Sequence, residues 1–196
     1  IQWGHPAVAI TDHGVAQSFP DAWSAGKGKC KVLLGTEAYY INNVDERLTV
    51  RGEQDQDLDE PIVCFDLETT GLSPQNDRIT EIGAVRIHNG EITDRFDTFV
   101  DPERPIPEKI TQLTSITDEM VKGAPKEAQA LEQFFQFCGE DAVLVAHNAS
   151  FDASFVRAAL KRQGKPFVNT YIDTVTMARS LLADLKKATL DSVANY

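Results

Sequence analysis

Cysteine is scarce in this chain of 196 residues: Cys30, Cys64 and Cys138 are the only three, and no C-x-x-C spacing occurs. That excludes a disulfide framework and points to free thiols in a reducing compartment, with Cys64 and Cys138 in apolar runs where a thiol acts as a small hydrophobe. Positive charge is also short, 19 Lys and Arg against 30 Asp and Glu, for a net charge of -11. A broad basic face for gripping nucleic acid is therefore excluded. Metal-dependent work on phosphates is not, because carboxylates that hold divalent cations leave an acidic protein and the cations supply the missing charge. Long apolar runs are absent as well. No stretch approaches the roughly 18 apolar residues of a membrane span, and the N-terminus lacks the basic-then-apolar order of a secretion signal. These absences predict a soluble, cytoplasmic protein with no membrane partner.

What is present, 42% hydrophobic residues and 25% charged, suits one ordinary core and a remnant of another. Ile1 stands where a start Met would, and Leu190 to Tyr196 opens a helical pattern without a stop signal, so both ends read as cut. Ala7 to Thr11 reads as a strand running into Asp12-His13-Gly14, Val15 to Ala25 as a helix, and Val32 to Leu34 as a strand running into Gly35-Thr36-Glu37. Polar residues at such strand ends are where α/β folds keep their chemistry. Residues 53–60 read EQDQDLDE, five acids in eight positions, which predicts a solvated linker between a domain at 1–52 and another at 61–196.

After the linker, Ile62 to Phe65 reads as a buried strand that reaches Asp66-Leu67-Glu68-Thr69-Thr70-Gly71. Ile79–Ile87 and Glu91–Val100 flank His88-Asn89-Gly90, a strong hairpin signal. A proline-rich loop follows from Asp101 to Pro125, with Ile110, Leu113, Ile116 and Met120 at spacings a short helix would use. A helix from Lys126 to Cys138 shows Leu131, Phe134, Phe135 and Cys138 on one face. Ala142–Ala146 then reads as a strand, a helix runs from an N-cap at Ser150 to a stop at Gly164, and a last strand ends at Tyr171–Thr174 before a helix to about Leu185. The order predicts an α/β fold, a mixed sheet with an antiparallel meander followed by parallel strands, flanked by helices and preceded by a βα fragment.

Asp66 and Glu68 are two apart on a strand, so they project to one face about 6.6 Å apart. Two acids side by side repel each other unless a divalent cation sits between them, and a pair of cations is the usual arrangement for attack on a phosphodiester. Asp152 lies in the first turn of its helix, where the dipole favours a carboxylate whether or not it has a further role. Acids at two successive strand exits of one sheet favour a metal site.

Phe65 to Gly71, Glu81-Ile82-Gly83-Ala84-Val85, Leu113-Thr114-Ser115-Ile116-Thr117 and His147-Asn148-Ala149-Ser150-Phe151-Asp152 resemble, in this order, four blocks of the DEDD 3'-5' exonucleases of the proofreading branch. The resemblance implies a ribonuclease H-like fold and removal of nucleotides from a 3' end with two Mg²⁺ or Mn²⁺ ions. By position, Asp66 would bridge both metals, Glu68 would bind the metal on the nucleophile's side, and Asp152 would bind the second. Thr69, Thr70, Gly71 and Leu72 would lie along the terminal nucleotide, offering backbone N–H groups and the Leu72 side chain, joined by Asn148 and Phe151. His147 would chiefly buttress this loop. The family's general-base histidine has no counterpart here, since no His follows position 147.

Ala9-Ile10-Thr11-Asp12-His13-Gly14 and Gly35-Thr36-Glu37-Ala38-Tyr39 resemble two blocks of the polymerase and histidinol phosphatase (PHP) domain. That resemblance implies metal ligation by His13 and Glu37, with Asp12 as a further candidate, and Zn²⁺ or Mn²⁺ in a complete site. The PHP His-x-His block is absent. A PHP segment interrupted by an exonuclease is similar to the order in the PolC-type family of bacterial replicative polymerases, which implies DNA proofreading, a single-stranded 3' end as substrate, and the rest of the polymerase and its sliding clamp as partners. An RNA-trimming exonuclease and a non-catalytic structural module are the alternatives.

Overall fold

The computed structural model describes residues 3–38, 49–53, 56–57, 59–139 and 142–196; Tyr39 and linker positions 54, 55 and 58 lie outside them. Two compact units are formed, Ile1–Glu46 and Arg47–Tyr196.

The first unit holds β1 (Ala7–His13), α1 (Phe19–Gly26) and β2 (Lys31–Glu37). The strands pair in parallel, from Ala7 opposite Lys31 to His13 opposite Glu37, so Asp12, His13 and Glu37 sit within strands rather than beyond them. The helix starts four residues later than periodicity suggests. Asp12 accepts hydrogen bonds from the Ser18 N–H at 2.8 Å and the Ser18 hydroxyl at 2.6 Å, which ties the preceding residues into a turn, and Pro20 suits the first helical turn.

The second unit contains β3 (Val50–Arg51), β4 (Ile62–Thr69), β5 (Ile79–His88), β6 (Glu91–Phe99), α2 (Glu108–Thr114), α3 (Asp118–Val121), α4 (Glu127–Cys138), β7 (Val143–Ala146), α5 (Ser150–Arg162), β8 (Tyr171–Asp173), α6 (Thr174–Leu181) and α7 (Leu190–Ala194). Strand order is β3-β8-β7-β4-β5-β6. The β4-β5-β6 part is an antiparallel meander, while β7 and β8 run parallel to β4. This is the mixed sheet that the sequence predicts. β3 is an addition: Val50 pairs with Ile172 and Arg51 with Tyr171, antiparallel, at the sheet's edge. Val50 and Arg51 therefore belong to the second unit, and the division between the units falls before the acidic segment.

Burial alternates along β4, with Val63, Phe65 and Leu67 buried and Cys64, Asp66 and Glu68 on the other face. Helices α4 and α5 cover the buried side with Leu131, Phe134, Cys138, Phe155, Val156 and Leu160. Phe134 sits at the centre, its ring 5.5 Å from that of Phe65 and 6.1 Å from that of Phe96. Cys138 is buried and its thiol is pushed up to about 12 by desolvation, whereas Cys30 and Cys64 are only partly buried. The 101–125 segment forms a small second core of Ile106, Ile116 and Val121, with Leu113 and Met120 turned outward. Its two helices are separated by Ser115 in the left-handed region at φ 63°.

Ala149, not Ser150, occupies the N-cap position of α5. Gly164, at φ 70°, does end the helix, letting the Lys165 N–H reach back to the Leu160 carbonyl at 2.9 Å. Helix α6 ends at Leu181, four residues short of the expected end. At the hairpin tip Asn89 and Gly90 have φ of 52° and 77°, as a two-residue turn that matches strand twist requires. Asn89→Ala should cost about 1 kcal/mol in urea unfolding, because alanine resists the left-handed region more than asparagine does. An unchanged midpoint would show that the turn does not depend on that preference.

Candidate active site

β7 pairs with β4 only from Ile62 to Cys64, so among the described residues the β4 edge beyond Cys64 has no strand partner on that side. Asp152, from the first turn of α5, fills this place. Its Oδ1 accepts the Leu67 N–H at 3.1 Å, and the residue is 2% exposed. The bond joins positions 85 residues apart and sets Asp152 beside the backbone between Asp66 and Glu68.

The three acids feel one another. Burial first, then the charges of Asp66 and Glu68, push the Asp152 carboxyl up to about 7 against the pull of its hydrogen bonds. Burial also raises Asp66, opposed by the Leu67 N–H and His147, and burial with the Asp66 charge raises Glu68. Among the described residues the ion pairs are His13–Glu37, Lys126–Glu103 and Arg162–Glu127, and none involves these acids. Carboxylate oxygens without a cationic partner are the donor set that hard divalent cations take. Among the described residues no three His, Cys, Asp or Glu side chains are arranged to hold an ion as they stand. Asp152 commits one oxygen to Leu67.

The segment after β4 folds back on itself. Thr69 donates to the Gly71 carbonyl at 2.7 Å, and Asp77 accepts from the Ser73 N–H at 2.9 Å and from the Thr70 hydroxyl at 3.4 Å. A Cβ on Gly71 would lie 2.5 Å from Asp77 Oδ2, so a larger residue there would have to displace the Asp77 carboxylate from the loop. Both threonines are buried, and the Thr70 N–H is taken by the Arg78 carbonyl at 2.8 Å, so it is not available to a nucleotide. Leu72, 83% exposed, is what the segment presents outward.

His147 is held at both ring nitrogens, 2.9 Å from Thr174 Oγ1 and 3.1 Å from the Ala188 carbonyl, an arrangement suited to buttressing. Asn148 has φ 65°, and its N–H donates to Asp173 Oδ1 at 3.1 Å. Phe151 packs on Phe155 with ring centroids 5.0 Å apart, at the margin of the core. A groove of about 600 Å³ runs along the sheet past Asp66, His147, Thr174, Leu190, Arg95 and Asp97.

Residues 63–196 match the exonuclease (RNase T) family. The chain belongs to that family. PolC-type DNA polymerase III of Clostridium perfringens is 50% identical over 196 residues, covering 100% of this chain and 13% of its own length. The protein of that name from Caldanaerobacter subterraneus is 47% identical, covering 100% and 14%. The exonuclease chain thus spans about an eighth of the length of these relatives. Among solved structures, apo exonuclease I is 18% identical with a TM-score of 0.57, covering 64% of this chain and 31% of that one. E. coli exonuclease I in complex with an oligonucleotide matches equally well, at a TM-score of 0.57. The fold of the exonuclease unit is that of these ribonuclease H-like enzymes, which generally use divalent metal ions.

Three residues of the exonuclease unit to which sequence reasoning gave no role contribute to the site. Asp173 accepts from Asn148, from the Val175 N–H at 2.9 Å and from the Thr176 hydroxyl at 3.3 Å, holding the turn that launches α5. An acid just before Thr174-Val175-Thr176 at a strand-to-helix switch is a capping signal that could have revealed it. Asp77 organises the loop described above. Glu81 stands opposite Glu68 in the β4–β5 register and is raised by burial and by Asp97, Glu68 and Asp66.

In the first unit His13 pairs with Glu37 while the Asp12 carboxylate turns to Ser18, whose hydrogen bonds hold it below the usual range. Asp12 and the His13–Glu37 pair therefore do not combine into a ready ion site.

Proposed function

We propose that this exonuclease unit removes nucleotides from the 3' end of single-stranded DNA, as the proofreading part of a bacterial replicative polymerase of PolC type. The observation that carries the reading is the Asp152–Leu67 hydrogen bond, which brings an acid from α5 to the stretch of β4 bearing Asp66 and Glu68. Asp66, Glu68 and Asp152 would hold Mg²⁺ or Mn²⁺. Two such ions, when bound, stabilise charge on the attacking and leaving oxygens of an in-line phosphodiester displacement. Leu72 would pack against the terminal nucleotide, His147 would keep the β7–α5 loop in place, and the groove would receive the strand. Thr69, Thr70, Gly71, Asn148 and Phe151 shape these surfaces from behind.

Likeness to PolC-type polymerases across both units, rather than over the exonuclease segment alone, favours DNA over RNA as substrate. On the same ground the first unit is part of a PHP-type domain in which His13, Glu37 and Asp12 would meet Zn²⁺ or Mn²⁺, and the partners are the remaining polymerase chain and a sliding clamp. The test uses the full-length protein on a primer with a mismatched 3' end. Chelation by EDTA should stop shortening from the 3' end and Mg²⁺ should restore it. Shortening that persists without divalent ions, or starts at the 5' end, would overturn the proposal.

A further inference from the structure

The loop at 73–77 follows Leu72 directly, and three arginines grip it through its carbonyl oxygens. Arg78 donates to the Asp77 carbonyl at 2.9 Å, Arg104 donates to the Asn76 carbonyl, and Arg162 donates through Nη1 to the Pro74 carbonyl at 3.1 Å. Arg162 differs from the other two in being aimed by a carboxylate. Its Nε and Nη2 bind Glu127 Oε1 and Oε2 at 2.9 and 2.7 Å, and the Arg162 and Glu127 side chains are only 27% and 16% exposed.

This fork-to-fork pair leaves a single edge of the guanidinium, Nη1, to face the loop, which a lysine could not reproduce. Arg162 is the last residue of α5 and Glu127 the first of α4. Helix α5 carries Asp152 in its first turn, ten residues or about 15 Å earlier. One rigid element therefore sets an acid of the site at one end and holds the Leu72 loop at the other. Inside the loop the Ser73 carbonyl accepts the Asn76 and Asp77 N–H groups at 3.0 and 2.7 Å, so a pull on Pro74 is transmitted to Asp77 and from there to Thr70 and Gly71.

We propose that Arg162, aimed by Glu127, is a positioning residue that latches the 73–77 loop to α5 and so fixes where Leu72 meets the terminal nucleotide. The inference deepens the exonuclease reading and rests on it. The latch touches no reacting atom, so its loss should weaken substrate binding and leave the chemical step nearly intact.

In the full-length protein, Arg162→Ala should raise KM for a single-stranded 3' end about fivefold with kcat changed less than about twofold. Arg162→Lys, which keeps the charge and lacks the fork, should fall between wild type and Arg162→Ala. If Leu72→Ala raises KM about tenfold, the double variant should stay near tenfold instead of reaching about fiftyfold, because both changes break one contact. Additive effects, or a loss confined to kcat, would overturn the latch. Should the wild-type protein show no 3' shortening at all, the exonuclease reading fails, and the latch is judged on amide exchange. Arg162→Ala must then speed exchange at Asn76 and Asp77 while α5 keeps its protection, and unchanged exchange at those amides would sink it.

Discussion

Asp66→Ala or Asp152→Ala in the full-length protein should lower the rate of 3' shortening at least on the order of a thousandfold, with the fold retained. The magnitude follows from the several kcal/mol of transition-state charge stabilisation that depends on these carboxylates, at about 1.4 kcal/mol per factor of ten. Retention of the fold follows from position. Asp66 lies on the face of β4 turned away from the Phe134 core, so its removal opens no cavity. Removing Asp152 frees one backbone N–H beside the open edge of β4, a cost local to the site. The comparison that decides is shortening rate against circular dichroism and melting temperature. A variant that melts like wild type and trims as fast would strip its residue of the assigned role.

Asp152→Asn should stabilise the cation-free protein, and more at high pH than at low. The Asp152 carboxyl stands at about 7 in the folded chain against an ordinary value of 3.8. Between these values the folded state keeps a proton that the unfolded state has lost, so the stability tied to this group is fully present below about pH 4 and is lost as pH rises toward 7. Asparagine does not titrate and can still accept the Leu67 N–H. In EDTA the variant should therefore gain about 2.5 kcal/mol on wild type between pH 5 and pH 8, measured by urea unfolding. Adding Mg²⁺ at pH 8 should narrow the gap, because the wild-type carboxylates take up the ion and the variant takes up less. A gap equal at both pH values would mean that burial and the neighbouring charges do not raise the Asp152 carboxyl.

The features most legible in the sequence are those whose cause is local. The apolar run Ile62 to Phe65 marks a buried strand, Asn89-Gly90 marks the hairpin, and Gly164 before Pro166 marks the end of α5. The acids Asp66, Glu68 and Asp152 are nameable because their blocks stand in a specific order, although the Leu67 N–H that anchors Asp152 to β4 is not. What stayed hidden depends on partners far along the chain. β3 is two residues long beside a run of acids, and nothing in Val50-Arg51 announces that β8 would pair with it. Leu113 satisfies helical spacing yet faces outward, because Ile106 and Val121 already fill the small core. Ser150 looks like a cap, but the Asn148 turn, held by Asp173 25 residues away, starts the helix without it. The Glu127–Arg162 pair spans 35 residues, and no pattern within either helix marks it.

The short strand at Val50–Arg51 bears on how the nuclease part can be excised. A clone begun in the acidic stretch would leave one side of Tyr171–Asp173 as bare ladder, a template for self-association between molecules. Starting the clone at Arg47 keeps that flank covered, so the choice of first codon sets how much sheet edge the purified piece exposes.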